Sequence, residues 1–407
     1  MKRLIIVSLL CAPWIADAKG VEVTGKLDLY GGQYFFGSRS GAFNGYGILD
    51  AQLAKSYSTS SGLIVSARSV YTGFKQVNEL SGGGTLFQQS LDDSIGAKWI
   101  KRYEGGYSLK PRIGVKNELF RETKDEKWGE GLYDFNRYEA GLTLERKTRL
   151  GLSTPWTYQF SWDFYDTRYT RFKSLASQYG QELAAPNPGS RVLDTFTNQF
   201  SYDSELDLPG FMKAEIFAAV SLVDYPDQRV INSAGAYLSS KRSDSYQALN
   251  LGLSKRLNDL DALGRIRPVL GLTAGLANLF SNQNHLDTDP KHLKYIGSYY
   301  DYLETRLAPN AQFSFISSGL VLRLGYEFAV RRYTDRLAQK ADGTYTQSRL
   351  SQYSSSASLE AAYPLAHSLD LKLQGNWAAS YSNNRYEQVY RYNYESSMYF
   401  AGLEWRF

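Results

Sequence analysis

The sequence predicts an all-β fold: a closed antiparallel transmembrane β-barrel of about sixteen strands, with short periplasmic turns and long extracellular loops. Three observations predict it. The N-terminus reads as an export signal, a period-two alternation recurs along the chain, and the last strand ends on an aromatic residue.

At the N-terminus, Lys2 and Arg3 form a basic region and Leu4 to Leu10 an apolar core. Ala16-Asp17-Ala18 supplies a small-x-small cleavage site, so residues 1–18 are expected to be removed. That leaves 19–407 as one barrel domain with no plug ahead of its first strand near Val21. The apolar run is too short to span a bilayer as a helix. Leu10 precedes Cys11 where a lipidation site needs a small residue. Cleavage takes away the only cysteine, and with it any disulfide, thiol nucleophile or cysteine metal ligand.

No later segment approaches the length of apolar run that a transmembrane helix needs. The chain instead alternates. In Leu320–Val330, Leu320, Leu322, Leu324, Tyr326, Phe328 and Val330 share one face, while Arg323, Gly325, Glu327 and Ala329 share the other. Trp156–Phe164 sets Trp156, Tyr158, Phe160, Trp162 and Phe164 against Thr157, Gln159, Ser161 and Asp163. Leu109–Leu119 and Leu369–Tyr381 follow the same rule. Such alternation fits a strand with one apolar and one wet face. The 32 tyrosines suit the interfacial girdles of a membrane barrel. Of 46 basic and 41 acidic residues, loss of Lys2, Arg3 and Asp17 leaves a near-balanced charge that points to no nucleic-acid partner.

The connections alternate too. Thr59-Ser60-Ser61-Gly62, Tyr103-Glu104-Gly105-Gly106, Asp207-Leu208-Pro209-Gly210 and Ser317-Ser318-Gly319 read as tight turns. Between them lie longer polar stretches at 123–133, 172–190, 227–243, 282–296 and 337–345. An even strand count puts every tight turn and both termini on the periplasmic side.

The final strand closes the pattern. Tyr399, Ala401, Leu403, Trp405 and Phe407 share the apolar face, and Gly402, Glu404 and Arg406 the other. With the signal and the dyad repeat, Gly402-x-x-Trp405-x-Phe407 resembles the bacterial outer-membrane β-barrel superfamily. Phe400 departs from it, standing where a polar residue is preferred. The resemblance implies a Gram-negative outer membrane, contact with lipid and lipopolysaccharide, and periplasmic chaperones and the barrel-assembly machinery as partners in biogenesis. It implies that Gly402, Trp405 and Phe407 form the assembly signal. It specifies no activity.

The inward faces carry both signs of charge. Candidate lumen or constriction residues are Arg68, Arg112, Glu118, Glu304, Arg306, Arg323, Glu327, Arg331, Glu360 and Lys372. A turn centred on Ser317-Ser318 sets Glu304 opposite Arg331, and one near Ala366 sets Glu360 opposite Lys372. These charges either brace the wall or select solutes by charge. Tyr165, Arg168, Tyr169 and Arg171, then Arg331, Arg332, Tyr333 and Arg336, then Arg385, Tyr386, Tyr390, Arg391 and Tyr392 gather toward the outer ends. They suit lipopolysaccharide phosphates, a girdle or a solute site.

The expected function is a porin-like channel for passive diffusion of small hydrophilic solutes, without cofactor, metal or catalysis. The acidic stretch 123–133 is short for an infolded constriction, and 172–190, stiffened by Pro186-Asn187-Pro188-Gly189, is the better candidate. The alternatives are a non-channel surface barrel for binding or adhesion, and the barrel component of a polysaccharide export system. The mature histidines His285, His292 and His367 form no evident catalytic set, although His285 with Asp287 stays open. Asp287 and Asp289 without a glycine turn make a poor calcium loop.

Overall fold

A strand in hydrocarbon must pair on both edges, because no water is there to satisfy a free backbone group. The computed structural model meets this by closing completely. It describes residues 20–37, 42–75, 88–121, 126–151, 154–172, 189–261, 265–387 and 391–407. The export signal and Cys11 lie outside the described residues.

The strands are β1 (Val21–Phe36), β2 (Ala42–Ser58), β3 (Ser61–Lys75), β4 (Gln88–Arg102), β5 (Tyr107–Arg121), β6 (Phe135–Leu150), β7 (Thr154–Tyr169) and β8 (Thr195–Leu208). There follow β9 (Met212–Ile231), β10 (Tyr237–Arg256), β11 (Ile266–Ser281), β12 (His285–Asp287), β13 (Lys294–Ile296), β14 (Tyr302–Phe315), β15 (Val321–Gln339), β16 (Tyr345–Ala366), β17 (Leu369–Ser382) and β18 (Tyr394–Arg406). All but β12 and β13 build the wall, each antiparallel to its neighbours, giving sixteen strands as the alternation predicts. β1 and β18 close the ring, in register from Lys26 opposite Arg406 to Phe36 opposite Ser396. β12 and β13 form a small separate hairpin inside one loop.

The wall is inside-out relative to a soluble protein. Leu142, Phe160, Trp162, Leu251, Leu272, Phe328 and Leu403 are exposed on its outside, whereas Asp28, Asp163, Asp244 and Lys372 are buried on its inside. Apolar surface on this scale is unfavourable in water and favourable in lipid.

Connections differ between the two ends. Thr59-Ser60, Glu104–Gly106, Pro209 to Phe211 and His367-Ser368 are tight turns at the end that holds β1's start and β18's finish. At the other end, two stretches expected to be loops are shortened by strand. Within 227–243, β9 and β10 run on until only 232–236 connects them, and within 337–345 only 340–344 connects β15 to β16. These polar hairpins rise clear of the apolar band, where both faces meet water and period-two patterning in hydrophobicity vanishes.

Candidate functional site

Every second side chain of each strand turns inward, so the wall's interior can be read from register. Around the closing seam the inward charges form a relay of alternating sign across five strands. Lys26 meets Asp28 at 2.7 Å and Glu404 at 4.0 Å. Glu404 meets Lys372 at 3.1 Å, and Lys372 lies 3.7 Å from Glu360. Glu360 holds Arg323 at 2.6 Å, and Arg323 Nε donates to Gln312 at 3.1 Å. Asp28 and Lys372 are buried, so each depends on these partners to offset its lost hydration.

The ten candidate residues fall on two walls. Glu304 stands opposite Arg331, as the turn at Ser317-Ser318 predicts, and they pair at 2.7 Å. Arg331 also lies over the Tyr302 ring at 4.3 Å. Arg306 reaches Glu327 at 3.7 Å and donates to Asn250 at 3.1 Å. With Arg323, Glu360 and Lys372, these line β14 to β17. Arg68 lies on β3, 3.4 Å from Asp50 with more than half of its side chain exposed. Arg112 and Glu118 lie on β5, eight strands round the ring from β15 and so across the lumen. Glu118 meets Lys116 at 3.1 Å.

One register differs from expectation. Glu360 stands opposite Gln374, and Lys372 opposite Ala362. The turn sits at His367-Ser368, later than Ala366, and a bulge between Pro364 and Ala366 takes back only one residue of that shift. The direct cross-strand partner of Glu360 is Arg323, on the other side.

Partners two strands apart meet where a glycine stands between them. Arg112 and Asp163 both lie opposite Gly141, and a Cβ there would overlap the Asp163 carboxylate and the Arg112 guanidinium. Arg112 pairs with Asp163 through this gap and donates to Thr143 Oγ1 at 2.7 Å. Gly275 stands likewise between Asn250 and Arg306. Charge is unevenly spread: β3 to β5 turn inward Arg68, Lys98, Lys110, Arg112 and Lys116 against Asp92 and Glu118, while β7 to β9 turn inward Asp163, Asp203, Glu205 and Glu215 against Lys213.

At the end opposite the chain termini, 282–301 folds against inward side chains of the wall. Gln283 Nε2 and Asn284 Nδ2 donate to the carbonyls of Arg229 and Ile231, tying the segment to the end of β9. His292 Nδ1 lies 2.7 Å from Asp287 and its Nε2 3.2 Å from Asp289; the Tyr345 hydroxyl donates to Asp287 at 3.0 Å. Tyr299 and Tyr300 then pack onto inward-facing arginines. Arg336 lies over Tyr299 at 4.3 Å and Tyr333 at 5.2 Å, and donates to the Tyr392 hydroxyl. Arg242 is sandwiched between Tyr225 at 4.4 Å and Tyr300 at 4.5 Å, and pairs with Asp244 at 2.6 Å. Cation–π contacts of this kind contribute roughly 0.5–2 kcal/mol each.

Sequence reasoning missed Arg242, which lies in 227–243, read as a loop, and Asp244, Tyr299 and Tyr300, which follow closely on the stretches 227–243 and 282–296. The alternation of Arg242, Asp244 and Tyr246 was the signal available. Of the outer-end cluster, Arg331, Tyr333, Arg336 and Tyr392 come together. Arg168 pairs instead with Asp166, Tyr165 lies under Arg137, and Arg391 covers Phe36. Tyr390 lies outside the described residues, as do 173–188, which contain Pro186-Asn187-Pro188. The described part of 123–133 leans outward: Trp128 sits under Arg121 at 5.4 Å and against Tyr71, both on the outer face.

In the last strand, Trp405 and Phe407 turn outward with rings 4.9 Å apart, and Gly402 turns inward opposite Tyr30. Gly25 and Phe407 exchange both backbone hydrogen bonds, at 2.8 and 3.0 Å. Phe400, the departure from pattern, is buried on the inner face, edge-on to Tyr46 at 5.4 Å.

No protein-family model and no curated protein matches the sequence. Solved structures do match in fold. The chain is 9% identical to OprB of Pseudomonas putida, with 97% of this chain and 96% of that one covered at a TM-score of 0.50. It is 10% identical to OmpT, an outer membrane protein of Vibrio cholerae in its trimer form, over 95% and 99% of the two chains at a TM-score of 0.46. For the outer membrane protein opdK of Pseudomonas aeruginosa the values are 9%, 95%, 97% and 0.43. The chain is a closed sixteen-stranded antiparallel barrel, a fold it shares with OprB, and no narrower family is identified.

Proposed function

We propose that this barrel is a passive channel of a Gram-negative outer membrane that admits small hydrophilic solutes, and that it is not an enzyme. The observation that carries the reading is the inner wall itself. It is lined by charged and polar side chains all round a closed ring of a width that leaves a water-filled lumen unless loops fill it. In this reading residues 1–18 are removed on export, Gly402, Trp405 and Phe407 address the chain to the assembly machinery, and exposed outward Arg332 meets lipopolysaccharide phosphate. His285 and His292 hold the 282–301 segment rather than catalyse: one stacks on Tyr299 at 4.4 Å, and the other bridges two aspartates.

Selection would come from lumen width and from the field between the cation-rich β3–β5 wall and the carboxylates beyond it. Most candidate charges are in tight pairs, so they also brace the wall. Arg68, loosely paired and exposed, is the strongest candidate for steering solutes. Swelling of liposomes containing the purified protein tests the proposal. Arabinose, glucose and sucrose should enter at rates that fall with size, and Arg68→Ala should shift the zero-current potential in a salt gradient toward cation preference. Swelling no faster than in protein-free liposomes would reject the channel.

A further inference from the structure

One part of the inner wall breaks the ionic pattern. Across β2, β1 and β18, inward Tyr30 and Tyr46 stack with centroids 4.3 Å apart at 15°, and Phe400 meets Tyr46 edge-on. Gln374 of β17 fixes both phenols: the Tyr46 hydroxyl donates to Oε1, and Nε2 donates to the Tyr30 oxygen at 3.3 Å. Beside this cluster lies a pocket of about 350 Å³. Its rings are Tyr34, Tyr46 and Phe400, and its hydrogen-bonding groups include Asn44, Thr72 and Asn376. Register places all six on the inward face, as it does Lys26 and Asp28.

Among the described residues no charged side chain borders the pocket, although the Lys26–Glu404–Lys372 relay runs along β1, β18 and β17 beside it. The composition decides what the pocket suits. A charged solute entering it would shed water without gaining a counter-charge. A purely apolar solute would leave amides and hydroxyls unpaired. A molecule with C–H faces and many neutral hydroxyls satisfies both halves, stacking on the rings while its hydroxyls bond the amides. The volume lies at the lower end of small-molecule sites.

We infer that this pocket is a binding station for an uncharged sugar of one or two rings, held at the wall during passage. The inference rests on the channel reading above and adds the solute class. The test uses the full-length protein purified and folded in detergent, with maltose as the probe. Titration calorimetry measures maltose binding, and planar-bilayer recording measures its block of salt current. Saturable binding, weakened about tenfold or more in both Tyr46→Ala and Asn376→Leu, would support the site. Migration of unheated samples in detergent gels reports folding, and if Tyr46→Ala fails to fold, Asn376→Leu decides. A conducting protein that binds no maltose saturably, or one in which every folded variant binds as the parent does, would overturn the inference. Binding without conductance would support the site and reject the channel, so the two failures are distinct.

Discussion

At the residue scale, the wall depends on which side chains are missing as well as on those present. Gly141 lets Arg112 reach Asp163 over an intervening strand, and Asp163 is almost completely buried. Gly141→Ala should therefore part the pair and leave a buried carboxylate short of its charged partner. We expect a loss of about 1–3 kcal/mol, read as a lower urea midpoint for unfolding from lipid bilayers. An unchanged midpoint would mean that the pair is carried by Thr143 and solvent instead. Arg112→Ala should cost a similar amount, and combining the two changes should add little, because both remove one interaction. The Arg112–Asp163 pair was not legible in the sequence, since reasoning from single hairpins pairs each residue only with its immediate neighbour. Glu304 and Arg331 were legible for that same reason: they face each other across one tight turn with no bulge. Phe400 looked like a misplaced residue and is instead part of the inner aromatic cluster.

At the element scale, the 282–301 segment folds over a half-buried histidine. Burial against Tyr299 lowers the proton affinity of His285 from its ordinary 6.5, with Arg336 adding to the effect and Asp287 opposing it. The folded segment therefore binds fewer protons than the unfolded one, and its stability is lost as pH falls below about 6.5. Burial would raise Asp287, but the Asp289 amide, the Tyr345 hydroxyl and His292 outweigh it and hold the carboxyl below its ordinary 3.8. Its contribution is full above that value and is lost last, as pH falls through its lowered folded value. Amide exchange across 284–300, corrected for intrinsic rate, should thus speed up between pH 7 and pH 5 and again below pH 4. His285→Phe, which keeps the ring contact, should abolish the first step and spare the second. Uniform protection down to pH 4 would contradict this. The sequence marked this segment as a long polar loop and nothing more. Its anchors come from β9, β15, β16 and the chain near Tyr392, which sequence order keeps far apart.

At the scale of the whole molecule, strand number and closure were legible because two independent signals agreed. Inward and outward side chains alternate, and short connections alternate with long ones, so an error of one strand would have broken both. The bulge near Pro364 and the extended outer hairpins escaped notice because the pattern fades wherever both faces are wet. What the alternation does not encode is how 282–301 packs against the wall. The direct measurement of the channel itself is single-channel recording of the purified protein in planar bilayers. The account predicts steady steps of ionic current that persist across a wide voltage range, with a charge preference that moves toward cations in Arg68→Ala. A folded, membrane-inserted protein that passes no ionic current would contradict it.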